Sequence, residues 1–196
     1  ESSPERISRL QELDRQYTRR LAQFDFEKLG NEGKVDYILF RRNLQDDQAQ
    51  LATDEKNSRL GEKYLPFAAA VFELEKSRRR GAAPDAPGVA RSMQDWSAIL
   101  KKSIQAIDSN KQIDLPAAYA AQKLGRDLAD AVRTVDNFYR GYDPQYTWWT
   151  ELPYKALDSL FGVYGKSMVT RARKNSAAAD DGSGIIGRPI GQAEII

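Results

Sequence analysis

The side chains available for chemistry in this chain are carboxylates, lysines, arginines, tyrosines, tryptophans and hydroxyls, because its 196 residues include no histidine and no cysteine. Histidine is the commonest metal ligand and the usual general base near neutral pH. Its absence removes Ser-His-Asp and Cys-His catalysis, and HExxH or cysteine-rich zinc sites, from these residues. Catalysis would have to rest on carboxylates, Lys, Tyr or Ser alone. Glycosidase chemistry needs two carboxyl groups facing one substrate. Asp46 and Asp47 are neighbours on a polar stretch and point different ways, and Glu73 and Glu75 flank Leu74 on a helix whose apolar face lies elsewhere, so neither reads as a shielded pair. Gly182-Ser183-Gly184-Ile185-Ile186-Gly187 satisfies the GxGxxG pattern. A dinucleotide loop also needs a strand before it, a helix after it and an acidic residue about 20 positions on, and an Ala-Asp stretch precedes this one. Asp180, Asp181 and Ser183 lack the alternating ligands and bidentate glutamate of a calcium loop. No catalytic, cofactor-binding or metal-binding residue is assigned.

Two basic groups, Lys76-Ser77-Arg78-Arg79-Arg80 and Arg171-Ala172-Arg173-Lys174, sit at the ends of helical patterns. Cations are favoured there by the exposed carbonyls and the helix dipole, which explains both groups without an anionic ligand. With 30 basic and 28 acidic side chains the net charge is +2, so no strong field toward nucleic acid or an anionic membrane is expected. No apolar run approaches the ~20 residues of a membrane span, and no signal peptide is recognisable. Glu1 is then the start of a processed protein or an edge within a longer one.

One segment carries most of the recognition potential. Gly141–Tyr154 holds two of the three tryptophans and three of the nine tyrosines. Tyr142, Tyr146, Trp148, Trp149 and Tyr154 are the candidate binding or inter-domain surface, since such rings provide large contact area at low entropic cost. The bland reading is a packed joint between two helices, with Pro144 and Pro153 each starting a helical segment and buried ring polar atoms hydrogen-bonded.

The elements that must position these residues read as helices. Ile7, Leu10, Leu13, Tyr17, Leu21 and Phe24 recur every three or four residues, and so do Val35, Ile38, Leu44 and Leu51 in a second run to about Lys56. The third pattern opens at Pro66 and stops at Gly81, and Pro84 and Pro87 mark a linker. The fourth carries Val89, Met93, Trp96, Leu100, Ile104 and Ile107. The fifth starts with Asp114 as N-cap and Pro116 just inside, and the sixth is placed from Pro153 to about Lys174. No window alternates as a strand does. The expectation is an all-α fold of about six mostly antiparallel helices, one helical domain over 1–175, and an irregular tail over 176–196. That tail ends in Gln192-Ala193-Glu194-Ile195-Ile196, which reads as the first turn of a further, cut helix, because so short a helix is unstable alone.

With these elements in place, the chain resembles a bacterial family catalogued as domain of unknown function 885. The matching residues are Phe24-Asp25-Phe26 with Leu29, Val35-Asp36-Tyr37 leading into Leu39 and Leu44, Gly141-Tyr142-Asp143-Pro144 with Thr147-Trp148-Trp149 and Pro153-Tyr154, and Ile185-Ile186-Gly187-Arg188-Pro189-Ile190-Gly191. Members are longer, often exported or lipid-anchored, and look like zinc metallopeptidases of the HExxH type in their C-terminal part. The resemblance implies that these residues are the N-terminal helical portion, noncatalytic by itself, packing against that C-terminal portion of the same polypeptide and shaping its cleft. Zinc would belong to the full-length parent, and no zinc ligand carries over to any position here. The competing reading is an independent helical module that uses residues 141–154 to bind a peptide or a saccharide.

Overall fold

Six α-helices and one short 3-10 helix form among the described residues of a computed structural model, residues 3–108 and 113–177, and no strand occurs there. The helices are α1 (Pro4–Leu21), α2 (Asn31–Glu62), α3 (Ala68–Arg79), α4 (Ala86–Asp108), α5 (Leu115–Arg140) and α6 (Pro144–Ala177), with the 3-10 helix at Phe26–Lys28. The expected irregular tail and cut helix lie almost wholly outside the described residues, and α6 itself continues through Ala177.

Local chemistry sets several boundaries. Ser3 caps α1 by accepting from the Arg6 N–H at 3.3 Å, ahead of Pro4. Asp114 caps α5 by accepting from the Ala117 N–H at 3.3 Å, as its position before Pro116 predicts. At the end of α3, Gly81 takes φ 73°, and Ala82 N–H reaches back to the Ser77 carbonyl at 3.1 Å. This left-handed C-terminal turn closes the helix where the sequence places its stop.

The chain divides into two compact units, Glu1–Leu60 and Gly61–Ile196, where a single helical domain over 1–175 is the sequence expectation. The break falls near the end of α2, inside an unbroken helix, so no Pro/Gly-rich linker announces it. In the first unit α1 and α2 form an antiparallel hairpin. Gln11 Nε2 donates to Glu55 at 3.0 Å and Gln48 Nε2 to the Thr18 hydroxyl at 3.2 Å, so numbers rise on one helix as they fall on the other. Ile7, Leu44 and Leu51 are its buried apolar residues.

The second unit has a continuous core. Val71, Met93, Leu100, Leu128, Val132, Val135, Leu157 and Met168 are buried, and α6 packs on both α4 and α5. The α5–α6 pair is antiparallel, shown by Gln122 against the Gly165 carbonyl and Arg133 against Asp158. By contrast α3 runs in the same direction as α5. Leu65, just ahead of α3, lies by Gly125, while beyond its far end the Tyr139 hydroxyl donates to the Ala82 carbonyl at 2.8 Å. Gly125 faces the Tyr164 ring, from which an added Cβ would stand 3.5 Å away, in ordinary van der Waals contact.

Candidate functional site

The aromatic segment folds differently from its sequence reading. Helix α6 begins at Pro144, one of the two helical starts read in the sequence, and runs through Pro153 without a second start, so the connection between α5 and α6 is only Gly141-Tyr142-Asp143. Asp143 supplies the cap: its Oδ1 accepts from the Tyr146 N–H at 3.0 Å, with Pro144 at the first helical position. Pro153 then sits inside the helix and removes one backbone donor, a change that costs about 3 kcal/mol in an isolated helix. The helix persists because its inner row, Tyr146, Thr150, Leu157, Phe161, Tyr164 and Met168, is buried. Each large apolar side chain in such a row contributes about 1.5–3 kcal/mol, which outweighs the lost bond.

Helical spacing sorts the candidate surface residues onto opposite sides. Tyr146 is fully buried, so it is removed from the candidate surface: its ring lies 5.2 Å from Tyr139, and burial pushes its hydroxyl well above the usual tyrosine range. Trp148 and Trp149 point outward, 82% and 49% exposed. Leu152 joins them at 76% exposure, three and four residues further along the same face. It is the site residue that sequence reasoning misses. Once α6 is started at Pro144 the spacing reveals it.

Tyr142 and Tyr154 belong to other groupings. Tyr142 is 64% exposed, and its ring lies edge-on to Phe138 at 5.4 Å. Phe138 in turn carries the Arg78 guanidinium over its face at 5.2 Å. Tyr154 is half-buried beneath Arg140, whose guanidinium lies 5.3 Å from the ring centre. Arg140 also makes a bidentate pair with buried Asp136, Nε and Nη2 donating at 2.8 and 2.9 Å. That carboxylate holds the arginine protonated still more firmly, and burial raises the Tyr154 hydroxyl. Arg133 donates to Asp158 at 3.0 Å, bracing α5 on α6 nearby. The constellation is a charge-neutral clamp between helices, with its cations already engaged.

The other sequence candidates resolve simply. Glu75 is buried, so its carboxylate does face the interior; Arg78 and Arg79 approach it at 2.8 and 2.7 Å and neutralise it. The basic run at the end of α3 is thus partly consumed by its own helix. Asp46 pairs with Arg42 at 3.1 Å, and Asp47 accepts from Asn43 at 3.1 Å. Among the described residues no group of three or more His, Cys, Asp or Glu side chains comes together as a metal site. The GxGxxG pattern and Asp180-Asp181 lie outside the described residues. No helix among the described residues is long and apolar enough to cross a membrane.

What this arrangement can do is present an apolar, aromatic face. Trp148, Trp149 and Leu152 form a convex row on one side of a rigid helix, with Lys155 and Glu151 paired at 2.8 Å beside it. No protein-family model matches this chain, and neither a curated protein nor a solved structure does. The resemblance to the domain of unknown function 885 family therefore rests on the short motifs alone.

Proposed function

We propose that this chain is the noncatalytic helical region of a longer bacterial protein similar to a zinc metallopeptidase, and that it packs against a further portion of the same polypeptide beyond Ile196. Zinc and the reacting groups belong to that portion, whose cleft this region helps to shape. Export or lipid anchoring of the parent belongs to the same proposal.

The observation that carries this reading is the outward row Trp148, Trp149 and Leu152. Large apolar side chains gathered on one exposed face mark a surface that is covered in the working protein. Trp is enriched at the centre of interfaces because a single ring supplies much area with few rotatable bonds.

The test begins with the parent gene beyond Ile196. An in-frame continuation encoding an HExxH helix is expected, and a stop codon there would defeat the proposal. In the longer protein, Trp148 and Trp149 should emit at shorter wavelength and resist iodide quenching relative to the 196-residue chain. Trp96 is buried already, so the change reports on the outer pair. The 196-residue chain should hydrolyse no peptide with or without zinc. Saturable quenching of the exposed tryptophans by a peptide or saccharide, with no continuation, would favour the independent module instead.

A further inference from the structure

The N-terminal half of α2 is apolar on two opposite sides. One side faces α1 and the 3-10 helix: Tyr37 lies 5.2 Å from Phe26, Phe40 lies 6.0 Å from Tyr17, and Leu44 is buried. The other side carries Val35, Ile38 and Leu39, which stand 54%, 48% and 62% exposed. A helix apolar on both sides is normally covered on both. This outer face lies wholly within the first unit, whereas the aromatic row of α6 belongs to the second.

The residues that continue the same stripe indicate what covers it. After Val35, Ile38 and Leu39 come Arg42, Asp46, Ala49 and Thr53, all exposed and all within about 40° of one helix line, apart from Ile38 at about 60°. The order is large apolar, positive, negative, small. Such an order is complementary to its own reverse. If two copies of α2 lie antiparallel about a point midway between residues 42 and 46, Arg42 of each meets Asp46 of the other, Leu39 meets Ala49, and Val35 meets Thr53. Charges oppose and large side chains meet small ones in the same register. That is the requirement for an isologous two-fold contact.

We propose that the outer face of α2 docks a second copy of this chain in this antiparallel arrangement. Arg42 and Asp46 already pair at 3.1 Å within one helix and are exposed, so a second copy adds a partner to each without stranding a buried charge. The stripe from 35 to 53 is about 27 Å long. A single helix pair of that length covers roughly 500 Å² per copy, short of the ~800 Å² of a standard interface. Association is therefore weak, with Kd in the micromolar range or above.

Sedimentation of the full 196-residue chain across this range is expected to show a reversible monomer–dimer equilibrium. Leu39→Glu, Arg42→Asp and Asp46→Arg should each weaken it at least about tenfold while far-UV circular dichroism stays unchanged, because all three positions are exposed. The decisive sample is a mixture. Arg42→Asp and Asp46→Arg chains supply opposite charges to each other, so the mixture should dimerise where each variant alone does not, and the double variant should recover the parental affinity. A monomer at every concentration overturns the proposal. So does a dimer that the substitutions leave untouched, which would use another face, and so does failure of the mixture to associate.

Discussion

The two units of this chain illustrate two ways of holding helices. The second, from Gly61 onward, surrounds Val71, Met93, Leu100, Leu128, Val132 and Leu157 with neighbours from four helices. The first buries three apolar residues, Ile7, Leu44 and Leu51, and turns Leu13, Tyr17, Phe24, Val35, Ile38, Leu39 and Phe40 partly or largely to water. Its α1–α2 contacts include exposed polar pairs, such as Gln48 with Thr18, each contributing little net stability. A helix pair needs an apolar seam to outweigh the entropy of ordering it. The bundle has that seam internally. The hairpin carries part of its apolar surface on the outside, which places its stability in the hands of whatever covers it.

The largest effect that separates the units should come from matched core truncations. Leu128→Ala removes a fully buried side chain from the bundle and should cost about 2–5 kcal/mol in chemical denaturation. Leu44→Ala in the hairpin should cost less, because its surroundings can close on the gap. Hydrogen exchange should agree, with α1 amides opening at lower free energy than those of α5. Equal losses would abolish the distinction between the units.

An intermediate effect concerns pH. Tyr146 and Tyr164 carry buried hydroxyls, that of Tyr164 without a hydrogen-bond partner, and burial raises both above the ordinary value of 10.0. The unfolded chain loses these protons first as pH rises through about 10, so it binds fewer protons than the folded chain and stability falls with rising pH. Tyr164→Phe removes an unpaired buried oxygen at nearly constant volume. It should be neutral or stabilising, by up to about 2 kcal/mol, and should flatten the alkaline decline in urea titrations. A strongly destabilised variant would mean that the hydroxyl has a partner after all.

How much of this was legible beforehand depends on where the information lay. Periodicity places all six helices, and the Asp114 cap and the Gly81 stop are visible as residue types because their causes are local. Helix α6 is misplaced at its start because Pro153 looks like a first turn. Asp143-Pro144 carries the same cap signal, and choosing between the two prolines requires knowing that Tyr146 and Thr150 face the core. That is tertiary information. From the same choice follow the assignment of Tyr146 to the surface and the omission of Leu152. The division into units is equally hidden, since it falls within a continuous helix and depends on which side chains find neighbours. The parallel course of α3 and α5 is a consequence of packing order that periodicity does not record.

The smallest expected effect lies in the hairpin. Asp14 is buried on α1 with one carboxylate oxygen unpaired; burial first, and the Asp47 carboxylate second, raise its affinity for a proton. The folded chain thus holds this proton to higher pH than the unfolded chain, and stability declines as pH climbs from the unfolded value near 3.8 through the raised folded one. Asp14→Asn should stabilise the hairpin modestly at neutral pH and remove that dependence, read from α1 amide exchange at pH 4 and 7. An unchanged exchange rate at both pH values would show that water reaches the carboxylate.

Pro153 has a mechanical consequence. Helix α6 has 34 residues and is about 51 Å long, a rod except where the proline withholds the N–H that the Trp149 carbonyl would accept. Its first two turns are pinned inward by Tyr146 and Thr150 and carry Trp148 and Trp149 outward. A pull on those tryptophans meets Tyr146, itself part of the buried core, before it meets the turn between 149 and 153. The aromatic row is therefore coupled to the core directly, through Tyr146 and its neighbour Tyr139, and the missing bond lies beyond that brace.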